Sequence, residues 1–173
     1  MVLYHVTTET KGKSIIKDGT IKINCPSSFK EIKSEKGFVY LTNRISIGYD
    51  IVKSTVEDSD DYMYIFKIDI PEKILLPDFD QAKIKNCVSF DAIGILNEWF
   101  STRVDFDINL KKYNAEFTKL PSIWNQFLKK FPNISPEIFN DIKNWLSNLR
   151  IKFTTEIEEK EKKFEENLKW EKC

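Results

Sequence analysis

The first apolar run of the chain, Leu3-Tyr4-His5-Val6-Thr7, is aromatic and β-branched, the composition of a buried strand. Polar residues follow, with Ile15 and Ile16 as their inward stripe. This pattern predicts a helix that Thr8 or Thr10 can cap and that Gly19 stops in the left-handed position. Ile21 and Ile23 alternate briefly. The chain then turns polar through Cys25-Pro26-Ser27-Ser28 and charged from Lys30 to Lys36, so 20–36 reads as an exposed loop of the kind that can cover a ligand. A second apolar run, Gly37-Phe38-Val39-Tyr40-Leu41-Thr42, is the next strand. Asn43 is placed to cap a helix carrying Ile45, Gly48, Tyr49 and Val52.

Acidic residues from Glu57 to Asp61 mark a turn. Residues 62–70 are apolar on both faces at their centre, which predicts a central strand covered on each side and ended by Pro71. Two helical stretches are expected after Asp78, over 79–86 and 90–100, the second with Ile93, Leu96 and Phe100 at helical spacing. Residues 113–118 read as a short strand closed by Pro121. Beyond it the period is helical: Ile123, Trp124, Phe127, Leu128 and Phe131 form one stripe, and Ser135-Pro136-Glu137 starts another helix. Ile138, Ile142, Trp145, Leu146 and Leu149 give that helix its apolar face. The charged stretch 154–172 keeps Ile157, Phe164 and Leu168 on one side, a stripe for packing on the domain. The whole predicts an α+β domain over 1–120 with a helical extension, 121–173, packed on it.

Composition adds bounds. The chain has 173 residues, enough for one domain and a small appendage, and 41% of them are hydrophobic, enough for a core. Lys+Arg and Asp+Glu number 27 each, so no bulk basic charge draws nucleic acid, although a nucleic-acid acceptor held by a local site stays open. Cys25, Cys87 and Cys173 are odd in number and form neither a CxxC pair nor a cluster with histidine, so neither a zinc site nor a disulfide framework is expected. With no signal-like start and no apolar run near the roughly 18 residues of a membrane span, the expectation is a soluble, cytoplasmic protein with no membrane partner.

The chemistry narrows further on the single histidine, His5. A polar ring in a core strand needs hydrogen-bond partners, which backbone or a bound ligand can supply. There is no P-loop, no GxGxxG after a strand and no GxSxG elbow. Nothing in the spacing brings His5 to a cysteine, and one histidine is a poor start for a metal site, so none is expected.

Tyr4-His5-Val6-Thr7, the helix ending at Gly19, and Gly37-Phe38-Val39-Tyr40-Leu41-Thr42 followed by Tyr49 resemble the ADP-ribosyltransferase superfamily, in its His-Tyr-Glu branch with diphtheria toxin and the poly-ADP-ribose polymerases. That branch carries His on its first strand, Tyr on a later strand, a second Tyr about ten residues on in a helix, and Glu on a strand near the end of the fold. Asn114-Ala115-Glu116-Phe117 resembles that last element. The likeness covers roughly 1–120. Where the polymerases usually have Gly after the His, this chain has Val6. The His-x-Thr form and the Ala-Glu-Phe element are also similar to DNA-modifying bacterial toxins of the superfamily.

The resemblance implies a split pair of small β-sheets around an NAD cleft, with C-terminal helices. It implies NAD as co-substrate and transfer of ADP-ribose to an acceptor, whether protein, nucleic acid or small molecule, with release of nicotinamide. Catalytic roles fall to Glu116, His5 and Tyr40, and NAD contacts to His5, Val6, Thr7, Tyr40 and Tyr49. A carboxylate such as Glu116, accepting from the ribose 2′-hydroxyl, would stabilise the cationic ribose as nicotinamide leaves. Tyr40 and Tyr49 would stack on nicotinamide, with Tyr49 at the cleft edge. Glu98 is the rival acid, set aside here because it falls in a helical pattern. The alternatives are a non-catalytic NAD- or ADP-ribose-binding or interaction protein on the same fold, and an NAD glycohydrolase; removal of an RNA 2′-phosphate ranks below them.

Overall fold

The computed structural model describes residues 1–23, 35–53, 61–80, 91–121 and 155–173. The first strand, β1 (Val2–Thr8), runs into helix α1 (Glu9–Asp18), and Gly19 closes that helix with φ 64°, the left-handed conformation that glycine adopts without Cβ strain. Thr8 stands at the cap position, but its side chain makes no capping bond. There follow β2 (Thr20–Ile21), β3 (Val39–Thr42), α2 (Ile45–Lys53) and β4 (Tyr62–Asp69). After a 3-10 turn at Glu72–Ile74 come β5 (Leu76–Pro77), α3 (Ala92–Trp99), β6 (Ser101–Val104), β7 (Ile108–Asn109) and β8 (Glu116–Pro121). Helix α4 (Thr155–Glu166) and strand β9 (Glu171–Lys172) close the chain.

The fold is mixed α+β. Seven strands form one sheet in the order β5-β6-β3-β1-β4-β8-β9, and β2 pairs with β7 in a second, two-stranded sheet. Every pairing of these strands is antiparallel. All seven residues of β1 pair with β4, whereas β1 meets β3 through the register Tyr4↔Thr42. Side chains alternate along each strand, so direct partners share a face. Leu3, Leu41, Tyr64, Phe66, Ile68 and Phe117 therefore lie on one face, in a core shared with Ile15 of α1 and Leu96 of α3. Tyr4, Val6, Met63 and Ile65 lie on the other, beneath Ile45, Tyr49 and Val52 of α2, with Phe164, Leu168 and Trp170 from the C-terminal segment packed against them.

Several boundaries differ from the pattern reading. The strand expected over 113–118 begins at Glu116, because the chain is still turning at 110–115: Asn114 has φ 48° and Ala115 N–H donates to the Leu110 carbonyl. Pro121 is that strand's last residue rather than a stop beyond it. Strand β6 was not anticipated, since Ser-Thr-Arg-Val reads as polar; all four residues are nonetheless buried. Asn43 does not cap α2: its Oδ1 is buried without a hydrogen-bond partner among the described residues. The helices expected between 122 and 154, most of the 20–36 loop and most of the 79–86 helix lie outside the described residues. Among those described, no helix is long and apolar enough to cross a membrane.

Candidate functional site

Of the residues singled out from the sequence, His5 and Tyr40 meet at the junction of β1 and β3. His5 is half-buried on β1, and its Nδ1 lies 3.1 Å from the Tyr40 carbonyl oxygen. A carbonyl only accepts, so Nδ1 carries the proton and, in the neutral ring, Nε2 is left as an acceptor. Burial lowers the imidazole's pKa below its ordinary value, the Tyr40 carbonyl opposes this, and the nearby Lys11 charge adds to the lowering. The neutral form is thus the resting form at pH 7. Thr7, two residues on, shares the His5 face and is buried.

Tyr40 points to the opposite face. Its hydroxyl donates to Asp80 Oδ2 and accepts from Glu35 N–H at 2.9 Å. Burial, then the Asp80 carboxylate, push the phenol well above its ordinary pKa, so it stays a donor. Its cross-strand partner is Arg103 of β6. That buried guanidinium stacks 3.9 Å from the Phe38 ring centroid and pairs with Glu35 Oε2 at 2.8 Å and Asp80 Oδ2 at 3.7 Å. Asp80 and Arg103 were not read as site residues. Arg103 sits in the overlooked strand, and Asp80 lies 40 residues from Tyr40, a separation at which no spacing rule applies.

Tyr49 lies on the same side of the sheet as Tyr40. It is a core residue rather than a cleft-edge one, 7% exposed, with its hydroxyl donating to the Pro121 carbonyl at 3.1 Å. Burial pushes this phenol up to about 12. Val6 points to that side too, under Gly48 of α2, where a Cβ would collide with the valine. The branched side chain at position 6 therefore fills the gap left by a glycine in the helix and turns away from the His5 face.

The structure does not bring Glu116 to His5 or Tyr40. One row of partners crosses the sheet, Glu116↔Lys67↔Tyr4↔Thr42↔Ser101. Glu116 is thus three strand spacings, about 14 Å, from Thr42. It faces away from the side of His5, next to the C-terminal edge, where its charge helps burial raise the Cys173 thiol to about 11. Glu98 occupies the last turn of α3, three residues before Ser101, where the chain enters the sheet opposite Thr42 on the strand beside Tyr40's own.

A third cluster sits at the start of α2. The Glu161 carboxylate of α4 accepts from Ser46 N–H at 3.2 Å and from Ser46 Oγ at 3.0 Å through Oε1, and its Oε2 lies 3.7 Å from Arg44 Nη1. This is the capping role that Asn43 leaves unfilled. Among the described residues, no group of His, Cys, Asp and Glu is arranged to hold a metal ion. No family model, no curated protein and no solved structure matches this chain.

Proposed function

We propose that the protein transfers ADP-ribose from NAD to an acceptor, with NAD held where β1 and β3 part. The observation that carries the reading is the His5–Tyr40 hydrogen bond. It fixes a neutral imidazole at the strand junction with Nε2 ready to accept from a ribose hydroxyl. The order of elements supports it: His5 on the first strand, Tyr40 on a later strand and Tyr49 on the following helix. Tyr40 and Tyr49 lie on one side of the sheet, opposite the His5 ring, and Tyr49 is buried in the core beneath α2. Val6 leaves its backbone for the amide contact, since its side chain is spent under Gly48.

The residues fit the co-substrate unequally. His5 supplies the hydroxyl acceptor and sets nothing else in motion. Tyr40 contributes twice, through the carbonyl that selects the tautomer of His5 and through a ring steadied by Asp80. For the carboxylate that stabilises positive charge on the ribose we take Glu98, whose helix runs into the strand next to Tyr40's own. Glu116 lies across two further strands. NAD itself supplies the labile bond to nicotinamide; the protein's part is to orient the ribose and to place one negative charge beside it.

Incubation with NAD labelled in its adenylate half, together with protein, DNA and RNA pools, tests the proposal. Label entering one pool, matched by free nicotinamide, is the expected result. Nicotinamide release with label left as free ADP-ribose would make the protein an NAD glycohydrolase. NAD binding by calorimetry without any nicotinamide release would leave a binding protein and overturn the transfer reading.

A further inference from the structure

We infer that the C-terminal segment, α4 through Cys173, is a clasp on α2, with Glu161 as its latch and as a positioning residue for the helix that carries Tyr49. Its contacts reach three places at once. At the first, Glu161 receives both hydrogen-bond donors of Ser46 and faces Arg44, whose guanidinium also lies 4.4 Å from the Phe100 ring centroid. At the second, Trp170 stacks on Tyr4 with centroids 6.3 Å apart, and Lys67 reaches both that indole, at 5.1 Å, and Glu165 Oε1, at 2.8 Å. At the third, β9 adds to β8, and Cys173 N–H donates to the Ala115 carbonyl at 3.2 Å.

The latch differs in kind from the other two contacts. Trp170 and β9 hold the segment to the sheet by area and backbone pairing. Glu161 instead makes the start of α2 depend on a residue 115 positions away. The first N–H groups of a helix have no partner within it, and a carboxylate there satisfies them and meets the positive end of the helix dipole. Asn43, the local candidate, does not do so. Burying Glu161 also disfavours its charged form, which raises its pKa against the pull of Ser46 and Arg44. Such a carboxylate is kept where it has partners to fix, and here the partners are the first turn of α2.

Hydrogen exchange on the full chain tests the latch without reference to NAD. In Glu161→Ala, exchange across the amides of 45–53 should rise by about tenfold, the change that loss of a helix cap corresponds to. The β1 and β4 amides should keep their protection. Glu161→Gln retains an oxygen for Ser46 and should fall between Ala and the native chain. Unchanged exchange in α2 of a folded Glu161→Ala protein overturns the inference. An equal rise in every peptide also overturns it, since that makes Glu161 an ordinary contributor to global stability.

The catalytic consequence rests on the proposed function and is read separately. With the latch gone, the Michaelis constant for NAD should rise at least severalfold while label transfer persists. If α2 loosens and NAD kinetics do not change, the latch stands and it is the reading of α2 as an NAD wall that fails.

Discussion

His5 Nδ1 and the Tyr40 carbonyl oxygen, 3.1 Å apart, tie the central strand β1 to β3 at the place where the two strands share the register Tyr4↔Thr42. A side chain thus bridges strands where a backbone ladder otherwise would. The ring that does so is held in one tautomer, and its second nitrogen is committed to accepting.

Stability should depend on pH through this ring. Burial sets the folded-state pKa of His5 below its ordinary value. Below about pH 6.5 the unfolded chain takes up a proton that the folded chain refuses, so stability rises with pH through that window and falls as pH drops below it. His5 is the single histidine, so His5→Gln should flatten the slope of urea midpoint against pH between about 5.5 and 7. Glu161 has the opposite sign at lower pH: its raised pKa lets the folded chain keep a proton that the unfolded chain loses first. An unaltered slope in His5→Gln would show that the imidazole is not buried as described.

The two acids are separable by rate. Glu98→Gln should cut nicotinamide release by about 10²–10³-fold with little change in NAD affinity, the signature of a group that acts on the transition state. Glu116→Gln should leave turnover within a few-fold, because Glu116 lies beside Cys173 and Lys67 rather than beside Tyr40. The reverse pattern would return the catalytic role to Glu116 and would require β8 to approach the β1–β3 junction.

How much of this was legible in the sequence follows from where the information lies. β1, α1, β3 and β4 could be read because each has a continuous apolar or aromatic run with a clear stop, such as Gly19 or Pro71. β6 could not, because Arg103 is buried by partners far along the chain, Glu35 and Asp80, and burial of that kind leaves no trace in local hydropathy. Glu116 was attractive from the Ala-Glu-Phe pattern. Its distance from His5 depends on strand order, in which β4 and β1 intervene before β3, and order is a long-range property. The same holds for α2: Asn43 is a good local cap by type, and the cap that forms comes from Glu161.

Two glycines set close helix–sheet approaches, and alanine at either should be destabilising. A Cβ on Gly12 of α1 would fall inside contact distance of the Tyr64 ring, and one on Gly48 of α2 would do the same to Val6. Helix propensity favours alanine by about 1 kcal/mol, whereas overpacking costs about 1–3 kcal/mol. Packing therefore wins at both sites. Gly12→Ala should be the worse, because an aromatic ring held in the core yields less than a valine. Chemical denaturation of both variants checks the sign, and a stabilised Gly12→Ala would mean that α1 sits farther from β4.

Tyr49 offers the sharpest test of what α2 is for. Its hydroxyl donates to the Pro121 carbonyl, and its ring belongs to the core beneath α2. Tyr49→Phe should lose that hydrogen bond, about 0.5–1.5 kcal/mol, and for a chain of this size about 2–4 °C of Tm per kcal/mol. The stacking face survives, so the Michaelis constant for NAD should stay within twofold. Tyr49→Ala removes a buried aromatic, at about 3–5 kcal/mol, so a rise in the Michaelis constant there would mix a lost platform with a loosened helix. Tyr49→Leu separates the two, since it refills much of the cavity without a π face. A folded Tyr49→Leu protein with a Michaelis constant raised roughly tenfold supports the ring as a wall for nicotinamide. An unchanged value would make Tyr49 a packing residue and leave the His5–Tyr40 junction as the whole of the NAD site.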